Sequence, residues 1–440
     1  MSFSSLSLNT TLTTQLPATL TKTTPIQQQA IPAILKGDDL IALAQTGSGK
    51  TFAYLLPILN RLLSHNTNAE SVKDIQAIII VPTRELASQV SGSLLSLIQS
   101  LNITSAILSG GIPLTEQQQQ LDSQPQIIVA TPGRLLDLLN NEIISVDTVN
   151  CLVLDEADRL LEMGFLPDIE KIIHSLPNQR QTLLFSATFA EPLQKLTKQI
   201  FTKTPTRIEL ANQIELKPEI NETCYLVNKG SKPQVLISQL KKLDHNCQAL
   251  VFINSKSDVD KLTKRMIKAG FSVAALHGDK EQIVREQTLT DFKNRKINFL
   301  ITTDLLARGV DIEALPLIIN LELPTQAENY VHRIGRTARA GKSGEAISLV
   351  SHSEMEYFTA IKKLTQRELP LLELDDFPVT DKPTSGESKR SPRDKKANRR
   401  TAQKSSIKQF SNKKKVSSNK AVSSNKPVSS HKKANGNRSK

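Results

Sequence analysis

The sequence predicts an α/β protein of two tandem parallel-sheet domains, and three observations carry the prediction. A stretch with phosphate-loop spacing, Ala44-Gln45-Thr46-Gly47-Ser48-Gly49-Lys50-Thr51, lies between a short apolar run and a helical pattern. From 75 to 210, short β-rich apolar runs alternate with helical patterns, the rhythm of a parallel sheet covered by helices. The second half repeats that rhythm without a second phosphate loop. At 440 residues there is room for two ordinary domains and a tail. We expect domains over 1–210 and 223–372, a linker over 211–222 and a disordered basic tail over 378–440.

Taken in order, Thr24-Pro25-Ile26-Gln27 sets a turn at Pro25 and presents, at Gln27, an amide that can donate and accept together. Such an amide matches the edge of adenine. The alternative is the start of an exposed helix, and the nearby phosphate loop favours base recognition. Asp39–Ala44 suits a buried strand. In the loop, Gly47 and Gly49 let backbone N–H groups turn toward phosphate oxygens, Lys50 supplies a point charge, and the Thr51 hydroxyl suits Mg²⁺. Phe52, Leu55, Leu56, Leu59, Leu62 and Leu63 recur at helical spacing, with a kink expected at Pro57.

Further strands are expected at Ala77–Val81, Thr104–Leu108, Ile127–Ala130, Val149–Leu154 and Thr182–Ser186, with helices Glu85–Leu97, Arg134–Leu139 and Ile169–Leu176 among them. One strand delivers two adjacent carboxylates, Asp155-Glu156, at its end. Asp155 would hold Mg²⁺ through its water shell, and Glu156 would orient or deprotonate the water that attacks the γ-phosphate. Other strand ends carry small polar clusters where open α/β sheets bind ligands: Pro82-Thr83-Arg84-Glu85, Gly110-Gly111, Thr131-Pro132-Gly133-Arg134 and Ser186-Ala187-Thr188. In the second half, strands are expected at Ala249–Asn254, Ser272–Ala275, Asn298–Thr302, Leu317–Leu321 and Glu345–Val350.

The net charge of +13 is localised: residues 381–440 hold 19 Lys and Arg against Asp381, Glu387 and Asp394, so the rest is slightly acidic. Apolar periodicity ends near residue 373, and Val416, Val422 and Val428 open a six-residue repeat too polar to bury a core. Cys151, Cys224 and Cys247 show neither disulfide nor zinc spacing, which argues for a reducing compartment. The sequence lacks a run of about eighteen apolar residues or a signal-peptide pattern, so we expect a cytoplasmic protein with no membrane partner.

With these motifs in order, the chain resembles the DEAD-box family of ATP-dependent RNA helicases over residues 3–372. The second half adds Val251-Phe252-Ile253-Asn254, His277-Gly278-Asp279, Thr303-Asp304, Arg308-Gly309-Val310-Asp311 and His332-Arg333-Ile334-Gly335-Arg336-Thr337-Ala338-Arg339. The resemblance implies two RecA-like domains that close on ATP, Mg²⁺ and an RNA backbone. It implies that Phe3 and Gln27, in an element spanning 3–29, serve the base, Asp311 meets the ribose, and Arg336 and Arg339 act as arginine fingers. Asp158, Ser186, Thr188 and His332 are expected to couple nucleotide to RNA. RNA contacts are implied at Arg84, Gly110, Gly111, Thr131, Gly133 and Arg134, and at His277, Gly278, Gln282, Arg285 and Thr303. Small residues and backbone amides suit phosphates and 2′-hydroxyls, so sequence preference should be slight. The implied function is local unwinding of short duplexes or remodelling of RNA–protein complexes, in ribosome assembly or RNA turnover. Ribosomal precursors or RNA-degradation proteins are the expected partners. An RNA clamp without strand separation and a DNA helicase are the alternatives.

Overall fold

The structure, a computed structural model, describes residues 2–17, 20–45, 47–65, 74–210, 220–244, 247–304, 315–338 and 343–381. Both lobes belong to one compact unit, Met1–Pro383. Lobe 1 holds β1 (Leu40–Leu43), β2 (Ala77–Ile80), β3 (Ser105–Leu108), β4 (Ile127–Ala130), β5 (Cys151–Leu154), β6 (Gln181–Ser186) and β7 (Thr206–Glu209). They pair in parallel in the order β3-β4-β2-β5-β6-β1-β7. Lobe 2 holds β8 (Ile220–Leu226), β9 (Ala249–Phe252), β10 (Val273–Leu276), β11 (Phe299–Thr302), β12 (Leu317–Asn320), β13 (Gly344–Val350) and β14 (Leu371–Leu372). Its order, β10-β11-β9-β12-β13-β8-β14, is the same permutation.

The central strands are buried at every position, because helices cover both faces of each sheet and leave no face in water. Alternation divides each strand between two cores: Leu40, Ala42, Ile79 and Val153 pack on one face of lobe 1, and Ile41, Leu43, Ile78 and Leu152 on the other. Burying each such Leu or Ile contributes about 1.5–3 kcal/mol. That anchors the strand ends from which the polar loops project.

Helix Lys50–His65 is a single element with Pro57, the expected kink position, inside it. The structure departs from the sequence expectations in three places. The expected linker ends early: 220–222 already belong to β8, and 211–219 lie outside the described residues. Strands β7, β8 and β14 were not anticipated. The segment beyond residue 372 is docked as far as Asp381. Leu374 and Phe377 pack against the lobe-2 core. Asn228 Nδ2 donates to the Pro378 carbonyl and to Thr380 Oγ1, and Asn228 Oδ1 accepts from the N–H groups of Thr380 and Asp381. One asparagine thus satisfies a strap that the composition assigned to the tail. Residues 382–440 lie outside the described residues. Among the described residues no helix is long and apolar enough to cross a membrane.

Candidate nucleotide and RNA sites

The loop after β1 leads into Lys50, the first residue of helix Lys50–His65. Gly47 and Gly49 have φ of 80° and 93°, left-handed values that a Cβ disfavours. A Cβ on Gly49 would also stand 2.6 Å from Gln27 Nε2. Gln27 is buried; its Oε1 accepts from the Thr24 N–H at 2.9 Å and its Nε2 donates to the Gly49 carbonyl at 3.1 Å. This amide ties helix Pro25–Leu35 to the phosphate loop, which an exposed helix start would not do. Phe3 is buried in the lobe-1 core and supports this region from within. The buried Lys50 Nζ donates to the Ala44 carbonyl at 2.9 Å, and the Ser48 hydroxyl donates to the Gln45 carbonyl at 2.7 Å. Thr51 is half-buried beside them; Thr46 lies outside the described residues.

Asp155 follows β5 and is buried. Its Oδ1 accepts from the Glu156 N–H and its Oδ2 from the Tyr54 hydroxyl, both at 2.9 Å. Burial holds its carboxyl above the usual carboxylate range, against the pull of the Lys50 ammonium. Glu156 has φ 49°, a left-handed value that a non-glycine residue adopts at a cost of about 1–3 kcal/mol, and it caps the short helix Ala157–Glu162. Arg159, three residues on, ion-pairs with Glu156 Oε2 at 3.1 Å. Asp158 reaches β6 instead: its Oδ2 accepts from the Ala187 N–H, the Thr188 N–H and the Thr188 hydroxyl at 3.2, 2.9 and 3.0 Å. Ser186 Oγ accepts from the Asp158 N–H and donates to the Thr188 carbonyl. The segments expected to couple are thus bonded to each other directly.

One cavity is lined by Lys50, Glu156, Asp158, Arg159 and Ala187 of lobe 1 and by His332 and Arg336 of lobe 2. His332 lies on helix Ala327–Ile334, and Arg336 is buried just beyond it. Arg333, between them, does something else: its guanidinium takes Asp304 bidentately, at 2.5 and 2.7 Å, bonds Asn320, Asn254 and the Glu322 carbonyl, and lies over the Phe252 ring. It is the internal brace that fixes the arm carrying Arg336. Asp311 and Arg339 lie outside the described residues.

The residues expected at RNA come from the other end of each sheet: Gly110 and Gly111 follow β3, Thr131 follows β4, His277 and Gly278 follow β10, and Thr303 follows β11. Five strand spacings of about 4.8 Å separate β3 from β1, so the two sites lie roughly 24 Å apart along the sheet. Arg84 packs over the glycines, so a Cβ on Gly111 would push its guanidinium aside, and the Gly111 φ of 82° already favours glycine. Burial, with the Arg134 charge nearby, lowers the Arg84 pKa. Arg134 donates to the Ile112 carbonyl at 3.3 Å, and Gly133 faces open space. In lobe 2, the buried His277 pairs with Asp260 at 3.1 Å, and Lys256 stands beside Gly278. Thr303 is buried. Gln282 and Arg285 are also buried rather than displayed: Gln282 Oε1 accepts from Arg285, which ion-pairs with Glu85 across the lobes.

Tyr54, Arg159 and Gln117 escaped the sequence reading, and Arg333 entered it only as part of a motif, without its bracing role. Spacing could have found two: Tyr54 is four residues from Lys50 and Arg159 three from Glu156, so each pair shares a helix face. Gln117, fully buried, donates to the Ser109 and Ile112 carbonyls and clamps the Gly110-Gly111 turn, a contact no local pattern announces.

The chain matches the DEAD/DEAH box helicase family over residues 24–196 and the helicase conserved C-terminal domain over 231–341. It is 40% identical to the ATP-dependent RNA helicase CshA of Limosilactobacillus reuteri over 79% of this chain and 69% of that one. With the DEAD-box ATP-dependent RNA helicase RhpA of Helicobacter pylori it shares 38% identity over 81% and 71%. Its fold is similar to S. cerevisiae Dbp5 bound to RNA and ADP BeF3, with a TM-score of 0.74 at 31% identity, covering 85% of this chain and 96% of that one. The DEAD-box helicase Mss116 bound to ssRNA and UDP-BeF gives 0.76 at 28% identity over 86% and 80%.

Proposed function

Because the chain belongs to the DEAD-box family of ATP-dependent RNA helicases, and so is an RNA helicase and ATPase, we propose that it separates short RNA duplexes locally or remodels RNA–protein complexes, in the cytoplasm, during ribosome assembly or RNA turnover. The supporting observation is the cavity in which Lys50 and Glu156 of one lobe meet His332 and Arg336 of the other. Hydrolysis groups shared between lobes make turnover depend on closure.

In this reading Lys50 leaves the Ala44 carbonyl for the β and γ phosphates, and the loop N–H groups hold the remaining oxygens. Glu156, steadied by Arg159, accepts the proton of the attacking water, and Arg336 balances charge on the γ-phosphate. Thr51 and Asp155 fit a Mg²⁺ ion held through water and phosphate: the ion needs only one or two protein oxygens, and each Asp155 oxygen keeps a free lone pair. When bound, the ion would supply neutralising positive charge at the phosphates. Asp158 passes the state of this end of the sheet to Ser186 and Thr188.

The test compares RNA with DNA as ATPase stimulant and then asks for strand displacement. Equal stimulation by DNA would overturn the RNA assignment, and ATP turnover without displacement would leave an RNA clamp. For the setting, RNA crosslinked to the protein in cells should be enriched in ribosomal or decaying RNA.

A further inference from the structure

The shared strand permutation makes every lobe-1 position comparable with one in lobe 2, and the counterpart of the nucleotide site is a cavity of about 590 Å³. β8 stands where β1 stands, and each is followed by a helix whose first residue is a buried lysine, Lys232 and Lys50. β12 stands where β5 stands, and the two residues beyond it are Leu321-Glu322 in place of Asp155-Glu156. Lys232 Nζ donates to the Leu321 carbonyl at 2.8 Å and to Glu354 Oε2. The metal carboxylate and the glycine loop are missing from this copy, so it cannot hydrolyse ATP. Its volume is nonetheless that of a small-molecule site.

Its charges define what would fit. Lys232 is matched by Glu354 and Lys261 by Asp258, and one oxygen of Glu322 accepts from the Asn254 N–H. Lys229 and Arg265 are exposed and form no ion pair among the described residues. Two such cations suit the charge of one phosphomonoester, about −1.5 to −2 near pH 7. The second Glu322 oxygen can accept from sugar hydroxyls or an exocyclic amine. The Tyr357 ring, 36% exposed at the cavity, offers a stacking face. We propose that this lobe-2 cavity binds a nucleoside monophosphate, its phosphate at Lys229 and Arg265, its ribose or base amine at Glu322 and its base on Tyr357.

AMP is the probe, titrated by calorimetry into the full chain whose nucleotide site is already filled with ADP, beryllium fluoride, Mg²⁺ and an RNA oligonucleotide. We expect one further event with a dissociation constant of about 1 mM or below. Lys229→Glu and Arg265→Glu should each weaken it at least tenfold and leave RNA-stimulated ATPase unchanged. Tyr357→Ala should weaken AMP and leave inorganic phosphate unaffected. The absence of a further event, or an affinity unmoved by both charge reversals, would overturn the site. AMP binding unmoved by Tyr357→Ala would overturn the nucleotide assignment.

Discussion

The Glu85 carboxylate of lobe 1 and the Arg285 guanidinium of lobe 2 form an ion pair whose side chains are 4% and 5% exposed. Arg285 stays charged there, because burial and the neighbouring Arg84 lower its proton affinity only within a range far above neutrality. Breaking such a buried pair at one end costs about 3–5 kcal/mol. Since the pair spans the lobes, much of that cost should fall on closure. We expect Glu85→Ala to raise the RNA concentration for half-stimulation of ATPase at least tenfold, with ATP affinity little changed. Exchanging the two residues, Glu85→Arg with Arg285→Glu, should recover part of the loss. An RNA series on the single and double variants checks both.

Glu156→Gln should remove most RNA-stimulated turnover while nucleotide still binds, because the amide fills the same space and can still meet Arg159 but cannot take a proton. Steady-state ATPase and equilibrium nucleotide binding on one preparation decide this. Near wild-type turnover would end the assignment of Glu156.

Arg336→Ala should lower turnover about 10³-fold, the low end for an arginine finger, with ATP affinity of the open first lobe nearly unchanged. The buried position of Arg336 on the shared cavity argues for this size of effect. A loss of tenfold or less would mark it as a structural cation like its neighbour Arg333.

Asp155→Asn should stabilise the free protein while abolishing ATP hydrolysis. The Asp155 pKa is raised by burial, so relative to the unfolded chain the charged form is disfavoured. A raised carboxyl contributes its stability below the unfolded value near 4 and loses it as pH rises through the folded value. The uncharged amide avoids that loss and can still exchange hydrogen bonds with Tyr54. The gain should therefore appear at pH 7 and vanish near pH 4. Thermal melts of both proteins across pH test it. A gain independent of pH would point to packing rather than charge.

These cases also show where sequence is a sufficient guide. The strands were legible because both faces are buried and the apolar runs are continuous, as at Ile78–Ile80. The phosphate-loop spacing was legible because it requires glycines, and Gly47 and Gly49 take the left-handed φ it calls for. Glu85 with Arg285, and Asn228 with the strap at 378–381, join residues 200 and about 150 positions apart by single polar side chains. Nothing periodic marks them. Helix Lys50–His65 continues through Pro57 because the buried Leu55, Leu56 and Leu59 around it outweigh one missing hydrogen bond.

The basic tail, 382–440, should tether RNA without reading it, and the strap decides where to cut. The compact lobe retains Asp381, whose Oδ2 accepts from the Lys229 N–H, so a chain ended after Asp381 keeps that clamp whereas one ended at Phe377 loses it. The tail follows this clamp in the sequence. If it neutralises about six phosphates of single-stranded RNA, it contributes roughly −4 to the slope of log affinity against log salt, at about −0.7 per phosphate. Removing 382–440 should flatten the slope by that amount. Maximal turnover at saturating RNA should survive, because Lys50, Glu156 and Arg336 all remain. Half-stimulation should then need more RNA, most visibly at low salt. RNA affinity measured across a salt series for both chains decides the matter: equal slopes would reduce the tail to solvated charge.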